Sequence, residues 1–225
     1  IRRQRQMCIR DSNNAGGLLA DRNHFPGIDM VKFGESISII QKRVTFENIS
    51  ILDVYEKAIA VFRDYYEYEV IQEADRKKVE KIPEAAFREA IANSLIHRVW
   101  DVESQIRVLM FDDRIEVVSP GGLPSGITVN EYLAGKLSAL RNRNLANVFY
   151  RLGFVEIFGT GIIRIKQLYE ESLAKPEFEV SENAIKVVLP IFENNFNLSE
   201  DEKAIYKVLS KTMLKSISEI APYVP

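Results

Sequence analysis

The run Pro83-Glu84-Ala85-Ala86-Phe87-Arg88-Glu89-Ala90-Ile91-Ala92-Asn93-Ser94-Leu95-Ile96-His97 decides how this chain is read. Pro83 suits the first turn of a helix, where its missing N–H is no loss, and no glycine or second proline interrupts the run from Glu84 to His97. Glu89, Asn93 and His97 are spaced four apart, so a helix projects all three from nearly one face. A solvated helix would scatter its charges. Here a carboxylate, an amide and an imidazole form a column beside Ala86, Ala90 and Leu95, which suits a metal ion and a polyanion.

Downstream of this helix, Gln105-Ile106-Arg107-Val108-Leu109-Met110-Phe111, the turn Asp112-Asp113 and Arg114-Ile115-Glu116-Val117-Val118 read as a hairpin by length and β-branching. It stops at Ser119-Pro120-Gly121-Gly122-Leu123-Pro124, which can continue neither strand nor helix. Thr128-Val129-Asn130-Glu131 is a capping box for a short helix to Ala134, and a second helix is expected over 144–152 with Gly153 as its C-terminal cap. Gly159-Thr160-Gly161 leads into an amphipathic helix over 162–173, and two strands, 177–180 and 184–189, flank the turn Glu182-Asn183. Strands with helices on one face predict an α+β two-layer sandwich.

Upstream, 13–46 is short and strand-like, broken by Asn23, Pro26 and Gly27, and reads as the tail of a domain whose beginning is missing. Ser50-Ile51-Leu52-Asp53 caps a helix to about Glu69, and the charged run Glu73-Ala74-Asp75-Arg76-Lys77-Lys78 reads as a solvated connection. At the other end Pro190 to Asn197 reads as a linker. Ser199-Glu200-Asp201-Glu202 then caps a helix with Ser216-Ile217-Ser218-Glu219-Ile220 beyond it, the order in which a helix-turn-helix or a plain helical hairpin begins. The chain starts at Ile1 without Met and reads as a fragment. Its basic opening, 1–12, is an adapter-like peptide or a disordered arm.

The 225 residues allow one sizeable core and a smaller module, and a formal charge of −2 gives no global pull toward nucleic acid or membrane. A single cysteine, Cys8, excludes an internal disulfide framework and a multi-thiolate zinc site and fits the reducing cytoplasm. No apolar run approaches the roughly 20 residues that span a bilayer. No internal repeat is present.

The ordered strings Phe87 to Arg98, Asp113 to Gly122, Arg141-Asn142 and Phe158-Gly159-Thr160-Gly161-Ile162 resemble the divergent GHKL ATPase-like module of bacterial AlbA/Schlafen-type, RecG-related transcriptional regulators. The resemblance implies a Bergerat-type sandwich over 50–192. It would be preceded by an AlbA-like remnant at 13–49 and succeeded by the start of a winged helix-turn-helix at 193–225. It implies ATP and Mg²⁺ as cofactors, with Asn93 as metal ligand and Glu89 as the base that orients or deprotonates water. Gly159, Thr160 and Gly161 would give backbone N–H groups to phosphate, where the helix dipole also favours an anion. His97 would border the phosphates, Arg141 would reach the terminal phosphate from a lid-like region or stand exposed, and Gly121 and Gly122 would shape the turn beside the base. Ser119 stands where the better-known GHKL ATPases carry an adenine-binding Asp, and a hydroxyl accepts that hydrogen bond without charge assistance. Val99 and Trp100 also separate Asp101 from the His97-Arg98 pair, so the loop after the helix is altered.

Three functions are expected from these residues and this resemblance. The first is the ATP-binding module of a cytoplasmic DNA-binding regulator, with nucleotide and DNA as partners and homo-oligomerisation open. The second is an active Mg²⁺-dependent ATPase coupled to dimerisation or DNA remodelling; no Gly-x-x-x-x-Gly-Lys-Ser/Thr loop is present, which argues against a helicase. The third is a degenerate dimerisation scaffold that binds no nucleotide.

Overall fold

A computed structural model describes residues 15–72, 75–135, 139–155 and 159–192. The expected arm at 1–12 and the expected helix-turn-helix start at 193–225 lie outside the described residues. A short helical turn at 15–19 precedes β1 (Ile28–Phe33) and β2 (Ile40–Phe46), then α1 (Ile51–Tyr66), β3 (Glu67–Gln72) and β4 (Asp75–Glu80). The expected central helix is α2 (Glu84–His97), and after it comes the hairpin β5 (Ile106–Met110) and β6 (Arg114–Pro120). The remaining elements are α3 (Val129–Leu133), α4 (Arg143–Arg151), α5 (Gly161–Leu168), β7 (Glu177–Val180) and β8 (Ala184–Pro190).

Six strands form one mixed sheet in the order β2-β1-β5-β6-β8-β7, in which β1 and β5 run parallel and every other pair is antiparallel. The inward side chains of β5 and β6, Ile106, Val108, Met110, Ile115 and Val117, are sealed, while their alternates Arg107, Leu109, Glu116 and Val118 are not. This period-two pattern marks one covered face, as expected for an α+β two-layer sandwich. Phe62 of α1 stacks on Phe87 of α2 with ring centroids 4.4 Å apart, joining the two helices. The Tyr66 hydroxyl donates to the Phe111 carbonyl (2.6 Å), which fixes the end of α1 to the β5–β6 turn.

The 13–49 stretch reads in sequence as part of a preceding domain, yet β1 and β2 form one edge of this same sheet. The sheet therefore crosses the expected boundary at residue 50. Asp29 sits nearly buried in β1 because Arg43 and Thr45 of β2 both donate to its carboxylate (3.0 and 2.9 Å from Arg43, 3.0 Å from Thr45). A second correction concerns 73–78. The expected solvated connection contains strand β4, paired antiparallel with β3 from Glu67↔Glu80 to Gln72↔Asp75. α1 accordingly ends at Tyr66 rather than near Glu69, and α5 ends at Leu168 rather than at 173.

The β3–β4 hairpin serves the start of α2. Pro83 supplies no side-chain cap, and Glu80 of β4 accepts instead from the Glu84 backbone N–H (2.8 Å). The Glu84 side chain is held by Arg63 through two bonds of 2.8 and 2.6 Å, which, with Lys78 nearby, keeps its carboxyl at about 2 against an ordinary 4.5. A carboxyl depressed in the fold stabilises it fully above its unfolded value, and that stability is lost as pH falls from 4.5 toward 2. Burial displaces the adjacent Glu67 upward, so its protonation in acid returns part of the loss. Arg63 is half-exposed, so Glu84→Gln should cost only about 1–2 kcal/mol at neutral pH. It should also flatten the acid side of a stability-against-pH curve from thermal melts. An unchanged acid limb would show that the Arg63 pair does not anchor α2.

Candidate functional site

The column on α2 forms, but it faces inward rather than into solvent. Glu89 is 6% exposed, and Asn93 and His97 are half-buried on the same side. Asn93 donates from Nδ2 to Glu89 Oε1 at 3.0 Å. That bond fixes the amide rotamer and leaves Oδ1 as the atom a cation would meet, a hard oxygen beside a carboxylate of the kind Mg²⁺ accepts. Burial pushes the His97 imidazole down to about 4, with Arg141 a smaller cause, so this ring is neutral near pH 7.

The glycine turn before α5 closes on this column. A Cβ added at Gly161 would fall 2.6 Å from Asn93 Nδ2 and nearer still to Glu89 Oε1, so any other residue here would force these side-chain ends to shift. Thr160 stands at the N-cap without a side-chain bond to the first turn, and Gly159 takes a left-handed φ of 66° just before it. The opening of α5 thus lies against Glu89 and Asn93, and Thr160 gives its first turn no side-chain cap. Such an end favours negative charge.

The second glycine turn lies directly after β6. Ser119 is buried, and its hydroxyl donates to the Ser94 carbonyl of α2 at 3.2 Å, so toward any ligand this oxygen acts as an acceptor. Gly121 has φ 103°, and a Cβ there would meet Val99 Cγ2 at 2.5 Å and Arg141 Nη1 at 2.7 Å. A Cβ at Gly122 would collide with the Glu182 carbonyl between β7 and β8.

Arg141 braces the frame. It donates to the His97 carbonyl (2.8 Å) and the Gly122 carbonyl (2.9 Å), tying the end of α2 to the glycine turn. Asn142 beside it donates to the Ile96 carbonyl at 2.6 Å. The capping box of α3 is present, with Thr128 and Glu131 bonded in both directions.

Sequence reasoning missed two cations. Arg98 is wholly buried and holds the altered loop: it donates to the carbonyls of Pro26, Val102 and Ser104 and lies 4.4 Å over the Trp100 ring. Trp100, an insertion relative to the resembled pattern, is therefore the lid of this arginine. Arg164, in the first turn of α5, pairs with Glu89 at 3.8 Å. A signal existed for Arg164, because a cation near a helix N-terminus opposes the dipole and calls for a carboxylate elsewhere.

Residues 103–189 match the HATPase family model described as "Putative ATP-dependent DNA helicase recG C-terminal". The match spans β5 to β8, including Ser119, Arg141 and the Gly159 turn, and begins after Glu89, Asn93 and His97. It supports an ATPase-like domain of the α+β kind described above. Among solved structures, the chain is similar to that of the DIP2311 protein from Corynebacterium diphtheriae, with a TM-score of 0.63 and 26% identity over 93% of this chain and 46% of that one. The chain thus spans less than half the length of that relative. None of the curated proteins compared matches it. Among the described residues, no helix is long and apolar enough to cross a membrane.

Proposed function

We propose that this chain binds ATP with Mg²⁺ on the face shared by α2, the Ser119–Gly122 turn and the start of α5. What supports the reading is convergence. Glu89 and Asn93 from one helix lie in contact distance of Gly161 at the head of another, and the Ser119 hydroxyl is bonded to the same α2 backbone. These elements are far apart in sequence, and an ordinary packing contact does not require a buried acid, an amide and a glycine-opened helix end at one point.

In this reading Asn93 Oδ1 holds the metal, which, when bound, supplies charge neutralisation for the phosphates. Gly159, Thr160 and Gly161 bind phosphate oxygens through backbone N–H groups, and the neutral His97 borders them without adding charge. The Ser119 oxygen, with its proton directed at Ser94, accepts from the adenine amino group. Gly121, Gly122 and Arg141 hold the turn that carries it. Glu89 is placed to orient the water that would attack the terminal phosphate, which makes hydrolysis the catalytic extension of binding. Within a longer protein we read the chain as the nucleotide-binding part of a cytoplasmic DNA-binding transcriptional regulator, able to associate with a second copy. That part of the reading is supported by the resemblance of 193–225 to a winged helix-turn-helix start.

Thermal melts of the chain with Mg·ATP test the core of this proposal. Nucleotide at about 100 times its Kd should raise the Tm by roughly 5–10 °C. Asn93→Ala should abolish the rise while leaving the nucleotide-free Tm near the wild-type value, and so should removal of Mg²⁺ by chelation. A wild-type chain indifferent to Mg·ATP would instead favour the dimerisation scaffold.

A further inference from the structure

Two cations lie on α5 near the site, and they have different partners. Lys166 reaches away to the Leu133 carbonyl at the end of α3 (2.8 Å). Arg164 faces Glu89, with Nη1 3.8 Å from Oε2, its side chain 34% exposed against 7% for the carboxylate. Its position is unfavourable for the helix, since the N-terminal end of α5 is itself positive. The contact with Glu89 is also long. Charge-assisted N–H···O bonds close to about 2.7–2.9 Å, so this contact with Glu89 is an ion pair rather than a short hydrogen bond.

The consequence for an incoming triphosphate is electrostatic. Gly161 and Arg164 together surround Glu89, so the chain's own carboxylate holds the place at the head of α5 where an anion is favoured. A terminal phosphate brought there would face that negative charge. It also carries more charge than one carboxylate and matches the planar guanidinium fork better.

We propose that Arg164 is a phosphate-binding residue: it pairs with Glu89 when nucleotide is absent and turns to the terminal phosphate of a bound triphosphate, leaving Glu89 to the water. This rests on the nucleotide-binding reading above and adds to it a residue that distinguishes triphosphate from diphosphate. No bond is made or broken in the exchange.

Calorimetric titration of the chain with a non-hydrolysable ATP analogue and with ADP, both with Mg²⁺, reads the exchange as a ratio of affinities. Arg164→Ala should lower the triphosphate-to-diphosphate ratio about tenfold or more. Arg164→Lys should keep part of it. Glu89→Gln should raise it, because no charged carboxylate then competes for the guanidinium. Equal loss of both ligands in Arg164→Ala, or an unchanged ratio, would overturn the proposal and leave the nucleotide reading standing. If Arg164→Ala does not fold, unchanged ratios in both Arg164→Lys and Glu89→Gln overturn it in the same way. A wild-type chain that binds neither ligand removes the nucleotide reading and this proposal together.

Discussion

Arg98→Ala should cost on the order of 3–5 kcal/mol of stability, the largest loss expected from any single side chain outside the hydrophobic core. Its guanidinium has no accessible surface and gives three bonds, of 3.0, 2.9 and 2.7 Å, to carbonyls of Pro26, Val102 and Ser104. Truncation would leave those carbonyls buried without their donor and open a cavity beneath Trp100, which packs edge-on against Phe25 at 5.8 Å. Burial lowers the Arg98 pKa only to about 10, so the group remains a cation at neutral pH and its bonds stay charge-assisted. Pro26 enters β1 and Ser104 enters β5, the parallel pair of the sheet, so one side chain fixes where the two strands begin. In a chain of this size the cost corresponds to a fall in Tm of roughly 10 °C or more. Arg98→Lys should recover little, because one ammonium nitrogen replaces the two guanidinium nitrogens that reach these three carbonyls. A loss below about 1 kcal/mol in a urea or thermal melt would mean that water replaces the guanidinium at no great cost.

The same residue shows why part of this fold is legible in the sequence and part is not. α2 is readable because a proline start, an uninterrupted run and four-residue spacing are local signals. Its two-sided burial is not, since Glu84 and Ser94 look like surface residues until Arg63 and Ser119 are brought to them. The β5–β6 hairpin and the Thr128 capping box are equally local and are present. β4 carries Asp75-Arg76-Lys77-Lys78 with no apolar alternation. What holds it in place is tertiary: Lys78 pairs with Glu67 at 2.8 Å, and Glu80 caps α2. β1 reads as part of another domain because its parallel partner β5 lies beyond two helices and a hairpin in sequence, and no window along the chain contains both.

For the candidate site the division is similar. The glycines, Glu89 and Asn93 are visible as residue types at particular spacings, and the fold brings them together. The work of Arg141 is not visible. An arginine before a helix reads as solvent-facing or ligand-facing until its two carbonyl acceptors, His97 and Gly122, are seen to come from different elements. Val99 completes that frame. Its N–H donates to the Pro120 carbonyl (3.1 Å), and its side chain packs against Gly121, so the loop held by Arg98 also supports the turn that carries Ser119. The site's rigidity therefore comes from cations bonded to backbone carbonyls.

Gly161→Ala should separate binding from stability more sharply than any other substitution. Gly161 does not occupy the left-handed region, so alanine can adopt its backbone conformation, and in a helix it is favoured over glycine by roughly 0.5–1 kcal/mol. The obstacle is the methyl group, which would fall 2.6 Å from Asn93 Nδ2 and closer to Glu89 Oε1. Both are ends of flexible side chains rather than backbone, so they can swing aside, and the helix gain offsets much of the cost. The nucleotide-free Tm should therefore stay within a few degrees of wild type, since about 1 kcal/mol moves Tm by only ~2–4 °C in a domain of this size. Binding has no such compensation. On the nucleotide reading, a displaced Asn93 would lose its position as metal ligand, and the methyl would hold the head of α5 away from the phosphate. Affinity for Mg·ATP should fall on the order of 10²-fold, or about 3 kcal/mol. Titration of the variant decides the matter: wild-type affinity in Gly161→Ala would mean that phosphate does not sit between α2 and the start of α5, whatever else the chain binds.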